Sequence, residues 1–164
     1  MKFKYFVAFD AEATIAGGVQ PASPKNIAAT SLQIQVLGGA LTLFPLKLQP
    51  AKFTVDYPGS THTKFTLKEV SIACAVASTA TAAYAVAPCR VRFTPVDVNG
   101  GALAYREVEY KPDAKILTDK SSMGTFTFGD NFPQFRNIGG VIVELASADP
   151  LVGIGLDSIK VVYH

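Results

Sequence analysis

The 164-residue chain has no tryptophan, only two histidines and only two cysteines. It is also poor in charge, with 17% Asp, Glu, Lys and Arg where an average domain has about 25%. Its 15 basic and 13 acidic residues give a net charge of +2, and basic residues never cluster beyond a pair. The sequence therefore lacks the electrostatic signature of a nucleic-acid-binding protein. A zinc site is disfavoured as well, since neither histidine lies near the cysteines.

Long apolar runs are also missing. Charged residues, Pro or Gly interrupt each run before it reaches the roughly 20 residues of a membrane-spanning helix. One long uncharged stretch, residues 70–88, is mostly Ala, Ser and Thr. Residues 1–9 predict a strand and not a secretory signal, because the apolar run ends at Asp10 without a small-residue cleavage site. With 49% hydrophobic residues spread along the chain, residues 1–164 are expected to form one folded domain.

Apolar and polar residues alternate with a period of two in several segments, which is typical of half-buried strands. In residues 2–9 the odd positions are apolar throughout, with Lys at positions 2 and 4, and in residues 31–37 the even positions are apolar. In residues 64–72 the apolar positions slip by one at Lys68-Glu69, which predicts a β-bulge there. Further strands are predicted at 52–57, 90–98, 102–111, 125–128, 141–146 and 156–163.

Turn residues separate these segments, and no convincing helical period is present. The pattern predicts an all-β fold, a two-sheet antiparallel sandwich of jelly-roll type. A closed barrel remains the alternative. The last strand is expected to lie beside the first, with a twist or bulge near Asp157-Ser158.

The two cysteines, Cys74 and Cys89, have 14 residues between them in a predicted hairpin. Buried free thiols would suit a cytosolic protein, and a disulfide would suit a secreted one. Because the flanking segments look like adjacent antiparallel strands, their Cα atoms could come within about 4.4–6.8 Å of each other. We predict a disulfide.

Catalytic constellations are weak, and we predict that the protein is not an enzyme. Asp56, Ser60 and His62 lie close in sequence, but they flank a Pro-Gly turn where short polar residues are expected in any case. Paired carboxylates for glycoside hydrolysis could come only from strand or turn positions that we interpret as solvated, namely Asp97, Glu107, Glu109 and Glu144.

The sequence resembles a known group of proteins in two internal segments and near both of its ends. A strand over residues 65–74 ends in Cys74, an Ala/Ser/Thr-rich stretch follows, and Cys89 opens an alternating strand over residues 89–95. The first strand ends in Phe9-Asp10, and the last begins with Leu-Asp-Ser-Ile at residues 156–159. This arrangement resembles a large group of secreted fungal β-sandwich proteins, similar to galactose-binding-like jelly rolls that include carbohydrate-binding modules. The resemblance implies secretion and an extracellular location.

The same resemblance implies a structural calcium ion that ties the first strand to the last. The matching oxygen ligands are Asp10, Glu12 and Asp157, and calcium prefers such carboxylates together with backbone carbonyls. The alternative is that these residues only end and begin strands.

Carbohydrate recognition relies on exposed aromatic faces with hydrogen-bonding groups beside them. Residues 132–137 offer the most binding-like loop, with Phe132, Phe135, Arg136 and Asn137. Further aromatic candidates for exposure lie near turns or on strands of mixed polarity: Tyr57, Tyr105 and Tyr110.

These observations favour a secreted, non-catalytic domain that binds a glycan or another extracellular surface. One alternative is a structural or effector-like protein-interaction domain that uses residues 73–87, with eight Ala and no charge, to dock a protein partner or a second copy. A small polysaccharide-active enzyme is less favoured and remains a third class.

Overall fold

A computed structural model describes residues 1–4, 6–10, 19–20, 22, 26–30, 34–37, 40–43, 50–78, 83–113, 121–146 and 152–164. Strands dominate these ranges, and the single helical element in them is a 3₁₀ turn, η1 (Pro133–Phe135). The predicted all-β class is therefore confirmed. In chain order the strands are β1 (Lys2–Lys4), β2 (Phe6–Asp10), β3 (Val19–Gln20), β4 (Asn26–Thr30), β5 (Ile34–Leu37), β6 (Ala40–Leu43), β7 (Ala51–Thr54), β8 (Phe65–Ser78), β9 (Ala83–Val86), β10 (Cys89–Val96), β11 (Arg106–Tyr110), β12 (Ser121–Ser122), β13 (Gly124–Thr127), β14 (Gly140–Leu145) and β15 (Val152–Tyr163).

The main strands form two antiparallel sheets. Sheet I has the order β1-β7-β14-β10-β11, and sheet II has the order β13-β8-β15-β4-β2 with β9 also paired to β8. Two small pairings stand apart from them: β5 with β6, and the parallel pair β3 with β12. The predicted two-sheet sandwich is confirmed in these terms, and its jelly-roll connectivity stays a prediction.

Apolar side chains from both sheets meet in one core, which we call the interior. Along β10, buried Val91 and Phe93 alternate with exposed Arg90, as the period-two pattern requires. Across the interior, the rings of Phe53 on sheet I and Phe65 on sheet II lie 6.1 Å apart between centroids. Burial of these alternating residues is the main force that holds the two sheets together.

The disulfide between Cys74 and Cys89 is confirmed, with a Cα–Cα distance of 6.1 Å. The predicted position of the two cysteines in one hairpin is wrong. Cys74 lies on β8 in sheet II and Cys89 begins β10 in sheet I, so the bond crosses the sandwich. The hairpin partner of β8 is β9, which precedes Cys89.

The predicted bulge at Lys68-Glu69 is confirmed by the strand register. Lys160 pairs with Glu69 and Val161 pairs with Leu67, so β8 has one extra residue at Lys68. A second shift lies between Asp157 and Lys160 on β15, as expected near Asp157-Ser158. The two bulges restore apolar continuity on both strands, with Leu67, Val70 and Leu156 all buried.

The last strand does not lie beside the first, which corrects that expectation. β15 pairs with β8 on one side and with β4 on the other, and β4 separates it from β2. β1 belongs to sheet I, where it pairs with β7.

Candidate functional site

An open groove of about 330 Å³ lies where the end of β15 meets the start of β8 and the segment 128–137. Six residues line it: Thr66, Lys68, Asp130, Arg136, Val162 and His164. Of these, sequence reasoning had selected only Arg136. The bulge at Lys68 and the turn residues around Asp130 were visible as signals of local structure. That Lys68 and Asp130 lie near Val162 and His164 depends on strand pairing, which a local sequence pattern does not show.

The segment 128–137 is held against sheet II by its backbone. The Phe128 N–H donates to the Lys68 carbonyl at 2.8 Å, and the N–H groups of Phe65 and Ile138 each donate to the carbonyl of the other at 2.8 Å. Gly129 adopts a φ of +36°, and a Cβ there would come within 2.8 Å of the Leu67 carbonyl oxygen. These contacts fix which side of the segment faces the groove.

Arg136 is positioned by the carbonyl oxygens of this segment. Its Nε donates to the Gly129 carbonyl at 2.7 Å and its Nη2 donates to the Asp130 carbonyl at 3.2 Å. Among the described residues, the ion pairs within 4.0 Å do not include Arg136. A guanidinium has five N–H donors, so three remain for a ligand in the groove.

Lys68 and Asp130 both line the groove and form an ion pair, with Nζ and Oδ1 2.7 Å apart. The hydrogen bond from Lys68 lowers the pKa of the Asp130 carboxyl, and the charges of Lys68 and Arg136 lower that pKa further. Asp130 thus stays ionised at neutral pH. Two fixed cations and one carboxylate face the groove.

Thr66, His164 and Val162 also line the groove. Thr66 is only 6% exposed, and its Oγ1 lies 3.0 Å from His164 Nε2. The Asn137 N–H donates to the same oxygen at 3.5 Å. Val162 is 45% exposed and supplies an apolar surface beside these polar groups.

Phe135 was expected to be an exposed aromatic, and that expectation is wrong. Its side chain is 0% exposed, and its ring packs 4.8 Å from that of Phe128 in the interior. Tyr110 is also buried, at 1% exposure. η1 turns Phe135 inward while the next residue, Arg136, reaches the groove.

The other predicted aromatics lie outside the set that lines the groove. Tyr105 is 55% exposed, and the Arg92 guanidinium lies 4.4 Å from its ring centroid. Phe132 is half-buried, with the Arg106 guanidinium 3.8 Å from its ring centroid. Tyr57 is also half-buried, and its Oη accepts a 3.4 Å hydrogen bond from the Met1 amino group.

The calcium prediction concerns Asp10, Glu12 and Asp157. Glu12 lies outside the described residues. The Asp157 side chain is nearly buried and its Oδ1 accepts the Ser158 N–H at 2.6 Å. Asp10 ends β2, which is two strand spacings, about 10 Å, from β15. Within the part of the chain that the structure describes, His, Cys, Asp and Glu form no group of three suited to a metal, and the calcium site stays a prediction.

The residues considered for catalysis have other contacts. The Ser60 hydroxyl donates to the His62 carbonyl at 2.8 Å, and the His62 ring stacks on Tyr163 with centroids 4.7 Å apart. On the outer face of sheet I, Arg92 forms ion pairs with Glu107 at 2.8 Å and Glu144 at 3.6 Å. Both carboxylates are thus paired with the same arginine.

No protein-family model, curated protein or solved structure matches this chain. Among the residues that the structure describes, no helix has the length and apolar character to cross a membrane. The function is therefore inferred from the chemistry of the groove itself.

Proposed function

We propose that the protein is a secreted, non-catalytic domain that binds a glycan in the groove. The observation that carries the proposal is Arg136, whose guanidinium is fixed by two backbone carbonyls and keeps three N–H donors for a ligand. A polar ligand gains affinity from donors that are already positioned, because binding then costs less conformational entropy.

The composition of the groove supports a sugar ligand. Lys68 and Arg136 carry hydrogen-bond donors for sugar oxygens, and Val162 offers an apolar contact for sugar C–H groups. A volume of about 330 Å³ lies in the usual range for small-molecule sites. The crossing disulfide agrees with an oxidising compartment, where such bonds persist.

A protein-interaction domain is the second candidate, and one observation favours it. Val98, Leu103 and Tyr105 are three large hydrophobic side chains with exposures of 56%, 37% and 55%, all within residues 98–105. Clustered exposed apolar side chains often mark docking surfaces. This patch does not include any residue of the groove.

Glycan-array screening followed by NMR titration of the best sugar separates the two candidates. Glycan binding in the groove predicts amide shift changes centred on Lys68, Arg136 and Val162, with residues 98–105 unaffected. A wild-type protein that binds no sugar on the array would contradict the proposal. Concentration-dependent association that Leu103→Ser abolishes would favour the second candidate.

A further inference from the structure

We propose that the groove selects glycans that carry a carboxylate, such as uronic-acid units, and that Arg136 binds the carboxylate. This inference rests on the proposed glycan-binding function and adds the chemical class of the ligand. It follows from the charge of the groove, from the hydrogen-bond geometry of Arg136 and from the kind of side chains that line the groove.

The side chains that line the groove carry a net positive charge. Lys68 is neutralised by Asp130, which lies 2.7 Å from it. Arg136 contacts the carbonyl oxygens of Gly129 and Asp130, which are dipoles without net charge. One positive charge is therefore left for a ligand, and a neutral sugar would not compensate it.

The fixed guanidinium also favours a carboxylate by its shape. A planar guanidinium can place two parallel N–H groups opposite the two oxygens of a carboxylate, and such charge-assisted pairs are stronger than neutral hydrogen bonds. The carbonyl contacts use Nε and one N–H of Nη2, so Nη1 and the second N–H of Nη2 remain. An N–H of Nη1 and an N–H of Nη2 can together form such a pair with a carboxylate.

Aromatic stacking, the usual means of binding neutral sugars, has little support here. The only ring among the six residues that line the groove is the imidazole of His164. Three aromatic rings elsewhere already have a partner on one face: Arg92 on Tyr105, Arg106 on Phe132 and His62 on Tyr163. Recognition in the groove must therefore depend mainly on hydrogen bonds and charge.

Isothermal titration calorimetry with matched ligands tests this inference. Oligomers of galacturonic, glucuronic and mannuronic acid are each compared with their methyl esters, which keep the ring and the linkage but lose the charge. At least one acid is expected to bind about tenfold or more tightly than its ester. An aspartate peptide of equal charge is expected to bind more weakly than that acid.

Three variants locate the effect. Arg136→Gln should weaken binding of the acid by about tenfold or more, whereas Arg90→Gln, an exposed arginine on β10 in sheet I, should leave it unchanged. Asp130→Asn removes a negative charge from the groove and releases Lys68, so it should tighten binding about threefold or more. A variant that merely disturbed the segment 128–137 would weaken binding, and melting curves confirm that each variant is folded.

The outcomes separate this inference from the function on which it rests. If every acid that binds has the same affinity as its ester, carboxylate selection is overturned and glycan binding stays intact. Equal affinity for the aspartate peptide would overturn a sugar as the source of the carboxylate. Weaker binding in Asp130→Asn would also overturn the inference. If no acid and no ester binds the wild type and the array is also negative, both proposals fall.

Discussion

The interior and the groove meet at two consecutive residues. Phe135 is fully buried against Phe128, whereas Arg136 is exposed and reaches the groove. The interior is apolar and closed by a covalent bond between the sheets, while the groove is open and polar. One short segment thus supplies both stability and the proposed ligand contacts. The two roles should be separable by single substitutions.

Phe135→Ala tests the interior side of this comparison and should have the largest effect. Removal of a fully buried phenylalanine leaves a cavity and typically costs about 3–5 kcal/mol of unfolding free energy. Phe132→Ala is the matched control, because that ring is half-buried, and it should cost less than half as much. Urea denaturation measures both. Equal losses would show that the loop has no distinct inner side.

Removing the crossing disulfide should have the next largest effect. The double variant Cys74→Ala, Cys89→Ala should lose about 3 kcal/mol, because the bond closes a chain segment of 15 residues. Urea denaturation of the wild type with and without reductant gives an independent value, and intact mass should rise by two hydrogens on reduction. Two thiols that alkylate without prior reduction would contradict the bond.

Much of the interior could be predicted because its information is local. Alternation in the sequence located the strands, and the one-residue slip at Lys68-Glu69 predicted a bulge that the register confirms. A bulge is readable because it moves the next apolar residue, Val70, back to the buried face. The disulfide pairing could be predicted because the chain has only two cysteines, which leaves a single possible pair.

The groove could not be predicted because its residues come from distant parts of the chain. Lys68, Asp130 and His164 meet only after β8 and β15 pair over most of their length. Two errors have the same origin. Alternation cannot say which sheet a strand joins, so it placed Cys89 in a hairpin with Cys74, and composition cannot say that η1 turns Phe135 inward.

Two threonines give a smaller test of the difference between interior and groove. In β7 the buried Thr54 Oγ1 donates to the Gly139 carbonyl at 2.7 Å and accepts the Asp56 N–H at 3.0 Å. Thr54→Val leaves these groups without that partner and should cost about 1–2 kcal/mol. Thr66→Val should cost less, because its partners His164 and Asn137 are exposed and can bind water instead. Urea denaturation with the reverse order of losses would contradict this difference.

The smallest expected effect concerns the hydrogen bonds that link Tyr110, Ser121 and Asp113, and it depends on pH. Buried Tyr110 donates to Ser121 Oγ at 3.3 Å, and the Ser121 hydroxyl and the Ser122 N–H both donate to the Asp113 carboxylate. The hydrogen bond from Ser121 is the main cause that lowers the pKa of Asp113 below its ordinary value of 3.8, and the hydrogen bond from the Ser122 N–H lowers that pKa further.

A pKa lowered by folding means that ionised Asp113 stabilises the native state above pH 3.8, and that this contribution is lost as the pH falls through the lower folded value. Asp113→Asn should therefore melt at a slightly lower temperature than wild type at pH 7, and the gap should close in more acidic buffer. Thermal melts of both proteins between pH 7 and pH 2 provide the measurement. Asp130→Asn removes another carboxylate with a lowered pKa. The partner of Asp130 is the charged Lys68 whereas the partners of Asp113 are neutral, so added salt should shrink the effect of Asp130→Asn more than that of Asp113→Asn. A gap for Asp113→Asn that did not narrow as the pH fell would contradict a role for the charge of Asp113.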